Sequence, residues 1–198
     1  MIRLFSKLCK CFQQNKLNTL SDLDIFNTYI QNINVSNLTC NKCGAKHSLT
    51  YLSKYKRHLV VFHNGKVSDS IVEVPRYICK SCGRTHAILP PSIIPYRSYS
   101  FSFVVSVLHD YIVKKFNSVE ILCQNYSLPY STFKRFLATF YSHKILWLGL
   151  LDSYLESNLK FISKFKFFSY VETEYYISEF FNMFQISFLQ QNVKLGVP

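Results

Sequence analysis

The chain has 198 residues, a formal net charge of +12, seven cysteines and five glycines. No apolar run approaches the roughly 18 residues of a membrane-spanning helix, and an odd number of cysteines excludes complete pairing in disulfides. Lysines interrupt the N-terminal segment where a secretory signal needs an uninterrupted apolar core, so we expect a cytoplasmic protein with no membrane contact.

Residues 1–38 are predicted to form a helical lead-in. Ser21 and Asp24 resemble a capping box with Asp in place of Glu, which would open a short helix through about Ile30. Cys9 and Cys11 have the wrong spacing for a metal-binding motif. We interpret both as incidental thiols.

Two Cys-x-x-Cys-Gly motifs are the strongest signal in the chain. They are Cys40-Asn-Lys-Cys43-Gly44 and Cys79-Lys-Ser-Cys82-Gly83, separated by 35 residues. Each places two thiolates on one tight turn, and glycine reaches the positive φ that the turn needs. Four thiolates close a tetrahedral zinc site with Zn–S distances of about 2.3 Å. We therefore predict that Cys40, Cys43, Cys79 and Cys82 bind Zn²⁺; the alternative, a disulfide framework, requires an oxidising compartment.

The sequence between the motifs predicts a β-hairpin, so that residues 39–88 would form a zinc ribbon. Two strand-like segments flank Asn64-Gly65, a strong signal for a two-residue hairpin turn. Pro75 cannot donate to a ladder, which places its strand at an edge or a bulge. His47 and His86 each follow the second cysteine of a motif. Either could be a substitute ligand, but we interpret both as surface histidines.

Basic charge is concentrated in the same region. Residues 40–100 contain ten Lys or Arg and two acidic residues, a net charge of +8. Such a concentration is expected of a surface that faces phosphates; the alternative is a solvated surface that aids solubility. The residues of the ribbon that we expect to contact nucleic acid are Lys54, Lys56, Arg57, Lys66, Arg76, Lys80 and Arg84.

Residues 89–100 are predicted to be a Pro-rich linker, and residues 101–148 a helix-turn-helix module. Apolar spacing predicts a helix from about Phe101 to Phe116, a second beginning at Asn117 or Ser118, and a third after a turn of about three residues. An ordinary three-helix packing unit is the alternative. The outward positions of the third helix, which we expect to contact double-stranded DNA, are Tyr130, Ser131, Thr132, Lys134 and Arg135.

Residues 149–198 form an aromatic-rich tail with helices predicted from about Asp152 to Phe168 and from Glu174 to Gln190. Their apolar faces need a partner. A homodimer through these helices is one interpretation, packing within the chain is the one that we slightly prefer, and a remnant of a catalytic domain is the third.

The order of a zinc ribbon, a Pro-Tyr linker and a helix-turn-helix resembles the N-terminal region of insertion-sequence transposases. It looks most like a family of short uncharacterised bacterial proteins that have this region without the catalytic part. The resemblance covers about Thr39 to Phe140 and implies DNA binding at element ends. Ser127 departs from it, because such turns commonly have glycine. The resemblance rests on Cys40-Asn-Lys-Cys43-Gly-Ala, Cys79-Lys-Ser-Cys82-Gly-Arg-Thr-His-Ala-Ile-Leu-Pro90, Ile94-Pro-Tyr96 and Leu128-Pro-Tyr-Ser-Thr-Phe-Lys-Arg-Phe-Leu137.

Catalysis is not expected. Transposase chemistry needs carboxylates that hold two metal ions about 3.5–4 Å apart, and the chain after Phe140 is short for a separate catalytic domain. No Ser-His-Asp set, Gly-rich phosphate loop or dinucleotide fingerprint indicates a small-molecule substrate.

The sequence therefore predicts an α+β protein, with a β-hairpin zinc ribbon followed by an α-helical module that contains a helix-turn-helix. The predicted function is zinc-dependent, non-enzymatic DNA binding, transposase-derived or transposase-associated. The alternative is a zinc-ribbon protein–protein interaction module that docks on a larger nucleic-acid-processing complex.

Overall fold

The computed structural model describes residues 21–90, 92–148 and 156–191. Within them the chain forms six α-helices, one 3-10 helix and a three-stranded antiparallel sheet, which confirms the α+β class. The predictions for residues 1–20, including Cys9 and Cys11, and for residues 149–155 and 192–198 lie outside the described residues.

The first helix, α1 (Asp22–Asn32), begins at the predicted capping box. The backbone N–H of Asp24 donates to Ser21 Oγ, and the N–H of Ser21 donates to Asp24 Oδ2, both at 3.2 Å. Phe26 then packs into a small cluster on one face of the sheet. A 3-10 helix, Val35–Asn37, leads from α1 to the first cysteine motif.

The sheet is built on one long hairpin. Strands β1 (Leu49–His63) and β2 (Lys66–Cys79) pair from Leu49 opposite Cys79 to His63 opposite Lys66. Asn64 (φ 51°) and Gly65 (φ 75°) are both left-handed, so the predicted turn is confirmed. Strand β3 (Thr85–Ala87) pairs along the other side of β2. The hairpin therefore has the two cysteine motifs at one end and its turn at the other.

Pro75 lies in the central strand β2, next to the end of the pairing between β2 and β3. The pairing of β3 with β2 begins at Arg76, which lies opposite Ala87, and so does not include Pro75. Beyond this pair, the N–H of Ile88 donates to the carbonyl of Pro75 at 3.4 Å, and Pro75 has no N–H to return the bond.

Five further helices follow the sheet. They are α2 (Phe101–Ile112), α3 (Val119–Asn125), α4 (Tyr130–Leu148), α5 (Asn158–Phe167) and α6 (Tyr170–Phe184). Helix α2 ends before the predicted Phe116, because Lys114 is left-handed (φ 54°) and the N–H of Lys115 donates to the carbonyl of Asp110 at 3.0 Å. Ser118, one of the two predicted caps, accepts the N–H of Ile121 at 3.3 Å.

The predicted linker is irregular, but it is buried. Ile88, Leu89, Ile93 and Ile94 are 0% exposed. The backbone of this segment also bonds to the hairpin, because Val60 N–H donates to the carbonyl of Ser98 at 2.7 Å. Residues 89–100 thus fasten the sheet to the helices and do not act as a spacer between two separate modules.

The aromatic residues of the tail pack mainly within the chain. Phe161, Phe180 and Phe188 are at most 2% exposed and belong to the core formed with α2, α3 and α4. Phe165 stacks on Phe188 with ring centroids 4.7 Å apart. This packing explains much of the aromatic density. It agrees with packing within the chain, the interpretation that we preferred from the sequence. Phe167, which is 74% exposed, is an exception.

Ser127 occupies a position that favours glycine. Its φ is 46°, and it follows the last turn of α3, where the N–H of Leu128 donates to the carbonyl of Cys123 at 2.8 Å. This is the left-handed residue of a Schellman motif, in which a Cβ is unfavourable. We expect Ser127→Gly to raise the free energy of unfolding by about 1 kcal/mol. Ser142→Gly, at an exposed position inside α4, should lower it by about 0.5 kcal/mol. Urea denaturation of both variants measures the two changes; a loss of stability for Ser127→Gly would contradict the assignment.

His143 gives the helical core a dependence on pH. It is 1% exposed, and its Nδ1 accepts the backbone N–H of Leu189 at 2.9 Å. Burial, together with the charge of Arg97, lowers the pKa of His143 to about 4. A histidine with a lowered pKa stabilises the fold above its ordinary pKa, and this contribution is lost as the pH falls toward 4.

We expect the stability advantage of the wild type over His143→Gln to shrink by about 3 kcal/mol between pH 7 and pH 4. Chemical denaturation of both proteins across this range measures the difference. The comparison removes the opposite contribution of Glu174, a carboxyl whose pKa burial raises to about 7. A constant difference would show that His143 does not titrate in this window.

Candidate metal centre and basic surface

The four predicted ligand cysteines come together at one end of the hairpin, and their sulfur atoms all lie within 4.8 Å of one another. Cys40 Sγ is 3.8 Å from Cys82 Sγ, and Cys43 Sγ is 3.7 Å from Cys79 Sγ. Four sulfurs about 2.3 Å from a central ion would be about 3.8 Å apart in a tetrahedron, whereas a disulfide needs about 2.05 Å. The arrangement fits a metal ion and not a pair of disulfides.

The two motifs adopt the same turn. In each, the glycine N–H donates to the carbonyl of the first cysteine, at 2.7 Å for Gly44 and 2.8 Å for Gly83. The two glycines have φ values of 75° and 68°, which confirms why glycine is needed there. Flanking residues also pair alike, since Thr39 lies opposite Lys46 and Ile78 opposite Thr85.

The two first cysteines are buried and the two second cysteines are more accessible. Cys40 and Cys79 are 0% exposed within an apolar cluster that includes Tyr29 and Leu38. Ser48 Oγ lies 3.2 Å from Cys79 Sγ. This hydrogen bond lowers the pKa of the Cys79 thiol to about 6. The lower pKa favours the thiolate, which is the form that binds metal ions.

The two histidines that follow the motifs differ in environment. His47 is exposed, as expected. His86 is 1% exposed, and its Nε2 lies 3.5 Å from Cys40 Sγ, so its interpretation as a surface residue is wrong. The sequence contained a usable signal: His86 alternates with Thr85 in β3 and begins an apolar run to Leu89, which indicates a buried edge of the sheet.

On the sheet, the predicted nucleic-acid contacts fall into different environments. Lys54 and Lys56 are exposed, but Lys54 Nζ pairs with Glu73 at 2.8 Å. Arg57 does not face solvent as expected. It lies on the opposite face and is half-buried, and its Nη2 donates to the carbonyls of Ile94 and Arg97.

The remaining basic residues of the sheet lie toward its ends. Arg76 is half-buried, and its Nη2 donates to Thr85 Oγ1 at 3.5 Å. Lys66 is exposed beside the hairpin turn, while Lys80 and Arg84 are exposed on the second cysteine motif. Of these predicted contact residues, more are exposed at the cysteine end of the sheet than at its turn end.

Helix α4 presents four of its five predicted contact residues. Tyr130, Ser131, Lys134 and Arg135 are exposed, and Lys134 Nζ lies 4.7 Å from the centre of the Tyr130 ring. The prediction that Thr132 points outward is wrong. Thr132 is 7% exposed, and its hydroxyl accepts a hydrogen bond from Arg135 Nη2 at 2.8 Å.

Arg97 joins the sheet to this helix. It is 7% exposed, its Nε donates to the carbonyl of Leu189 at 2.8 Å, and its guanidinium lies 5.2 Å from the centre of the Phe136 ring. Burial and the nearby charge of Arg135 lower the pKa of Arg97 to about 10, so it stays cationic at neutral pH.

Arginine charge is uncompensated in the described part of the chain. The ion pairs of the described residues join carboxylates to lysine or histidine, as in Lys54–Glu73 and Lys115–Asp110. None of these pairs includes an arginine. Asp110 is an internal acid and does not balance this surface. Although burial opposes its ionisation, bonds from Lys115, Tyr126 and His109 lower the pKa of Asp110 below its ordinary value.

None of the helices within residues 21–90, 92–148 and 156–191 combines the length and the hydrophobicity needed to cross a membrane. The chain has no match among curated proteins or among solved structures. Residues 40–136, from the first ligand cysteine to the second turn of α4, match the family DUF6431, which is described as a domain of unknown function.

Proposed function

We propose that the protein is a zinc-dependent DNA-binding protein without catalytic activity. A zinc ribbon, residues 39–88, and a helix-turn-helix, residues 101–148, together form its binding surface. The observation that carries the proposal is that no arginine of the described residues forms an ion pair, while Arg84 at the cysteine end of the sheet and Arg135 near the start of α4 are both exposed. The resemblance to transposase N-terminal regions supports DNA as the anion.

Zinc is the metal that these donors favour. Four thiolates in tetrahedral geometry are typical of structural zinc or iron sites, and zinc needs no redox chemistry. Cys40, Cys43, Cys79 and Cys82 would fill all four positions. A site closed in this way has no open position for a substrate or for water, so the ion would supply structure and not catalysis.

The helices have the order that the second module requires. Helix α3, a four-residue turn from Tyr126 to Pro129, and α4 follow one another, while α2 packs behind them in the same core. Helix α4 follows Pro129, whose side chain has no acceptor, whereas the other five described helices begin after a serine that accepts a backbone N–H. The N–H groups of Thr132 and Phe133 donate to the carbonyl of Pro129 at 2.9 and 3.1 Å, so the amides that we assign to a phosphate are those of Tyr130 and Ser131.

Charge on α4 points the same way. The helix contains no acidic residue, and Lys134 and Arg135 are both exposed in its first two turns. The positive end of the helix dipole adds to these two charges. By contrast, Lys54 on the sheet is already paired with Glu73, so we assign it a smaller part in binding.

The basic residues of the cysteine motifs have a second explanation. A divalent ion with four thiolates carries a net charge of about −2, and Lys80 and Arg84 are placed to offset it. Variants at these residues would therefore change metal affinity as well as DNA affinity. For this reason the test of DNA binding rests on α4.

A band-shift assay with a random-sequence duplex tests the proposal. Four or five phosphate contacts predict that affinity falls about 100-fold or more between roughly 50 and 200 mM salt. A chelator should abolish the contribution of the ribbon. The proposal would be contradicted by binding that does not change with salt, or by the absence of binding both with and without the chelator.

One observation favours the alternative of a protein-docking module. Tyr51 and Leu52 are 57% and 45% exposed on β1, close to the cysteine end of the sheet. Apolar side chains exposed together are typical of protein interfaces. This function predicts no shift of duplex and the recovery of a defined protein complex instead. A homodimer through α5 and α6 also stays a prediction, and Phe167 and Tyr175 are the exposed aromatic residues available for it.

A further inference from the structure

Each buried ligand sulfur has one polar side chain beside it. Ser48 Oγ lies 3.2 Å from Cys79 Sγ, and His86 Nε2 lies 3.5 Å from Cys40 Sγ. Cys40 and Cys79 are both 0% exposed, so water does not reach them, whereas Cys43 is exposed and Cys82 partly so. The two polar side chains therefore contact the sulfurs that solvent does not reach.

His86 is held there at a cost. It is 1% exposed, and its Nδ1 is buried without a hydrogen-bond partner in the described residues. A buried polar atom without a partner is unfavourable and calls for an explanation. The contact with Cys40 is what the fold gains from placing an imidazole at this position.

The geometry distinguishes between two roles for the imidazole. Two of the sulfur pairs are 3.7 and 3.8 Å apart, as in a tetrahedron, and all four sulfurs lie within 4.8 Å of one another, so a fifth donor is not needed at the metal. A metal-bound thiolate has no proton to offer, so the nitrogen that faces it must carry the hydrogen. Nε2–H then donates to Cys40 Sγ, and Nδ1 is left as the unpaired acceptor.

We propose that His86 is a positioning residue of the metal centre, whose Nε2–H donates to the Cys40 thiolate. The inference rests on the proposed metal site. Thiolate charge beside the apolar Leu38 and Ile88 is stabilised by such a bond. By donating to Cys40 Sγ, which solvent does not reach, His86 raises the affinity for the ion.

Metal affinity of the full chain tests the proposal, measured by competition with a chromophoric chelator. His86→Phe removes the donor, whereas His86→Gln keeps an N–H at a similar reach. His47→Phe is the matched control, because His47 occupies the same place after the first motif but is exposed. We expect His86→Phe to bind zinc about 10–100-fold more weakly. His86→Gln should recover most of the affinity, and His47→Phe should equal the wild type.

The absorption spectrum of the Co²⁺-loaded protein distinguishes a hydrogen bond to sulfur from a purely structural role of His86. The N–H bond stabilises the sulfur electrons, so losing it in His86→Phe should shift the sulfur-to-cobalt charge-transfer band to longer wavelength. The tetrahedral bands of the ion should stay, because the four sulfurs remain. Loss of those bands would instead make His86 a ligand and overturn the proposal.

Unchanged affinity in His86→Phe, or equal losses in the Phe and Gln variants with no shift of the band, would also overturn the proposal. If His86→Phe does not fold, comparison of His86→Gln with the shorter His86→Asn decides, and equal affinities count against the proposal. A wild-type chain that binds no metal overturns the metal centre itself. Wild-type binding with an unaffected His86→Phe overturns only the role of His86.

Discussion

Removal of the metal, or the change Cys79→Ser, is expected to unfold the cysteine end of the sheet while the helical core persists. Structural zinc contributes about 10–16 kcal/mol of binding free energy, and without it the cysteine end retains only a small apolar cluster of six buried residues. The helical core is much larger and contains none of the four ligands.

Hydrogen exchange followed by mass spectrometry would locate this loss. We expect protection to fall around residues 38–49 and 77–88 on addition of a chelator, and to remain in α2 and α4. Metal analysis should give one ion per wild-type chain and none in Cys79→Ser. Cys123→Ser is the matched control, because Cys123 is buried in the helical core and takes no part in the metal site. A Cys79→Ser chain with full metal content and unchanged protection would contradict the prediction.

Neutralising the exposed start of α4 is expected to have the second large effect. The double change Lys134→Gln and Arg135→Gln removes two exposed charges that form no ion pair in the described residues, together with the bond from Arg135 to the Thr132 hydroxyl. Each lost phosphate contact should reduce the slope of log affinity against log salt by about 1, so we expect a decrease of about 2. Affinity for duplex at low salt should fall at least about tenfold.

The change Lys54→Gln is the control for general electrostatics. Lys54 is exposed but paired with Glu73, so its removal should reduce affinity less than about threefold. Thermal unfolding of all variants establishes that they remain folded. Equal losses in both variants would indicate attraction by net charge alone, and no loss in the α4 variant would remove this helix from the interface.

Features set by neighbouring residues were predictable from the sequence. The capping box at Ser21, the Asn64-Gly65 turn and the paired cysteine motifs each depend on a few adjacent side chains or on a left-handed glycine. Such local chemistry does not depend on the rest of the fold. The grouping of the four cysteines followed from their repeated spacing, and the structure brings all four together.

Features set by tertiary packing were not predictable. Arg57 was expected on the surface, but the buried linker offers it two carbonyl acceptors from residues 37 and 40 positions further along the chain. Thr132 lies on the inner side of α4, where the core determines exposure. His86 depends on the approach of the first cysteine motif, 46 residues away. The apolar run after His86 indicates that the residue is buried, but no local pattern identifies its partner or those of Arg57.

The attachment of the hairpin at Val60 fixes a distance along the molecule. From Leu49, next to the cysteine end, to Val60, where the backbone joins the segment that leads into α2, β1 advances eleven residues. At about 3.3 Å per residue this is roughly 36 Å, close to the length of one turn of B-form DNA, about 34–36 Å. If DNA binds as we propose, a duplex lying along β1 would present the same groove to both ends of the strand, and the length of this strand would set the spacing of the two contacts.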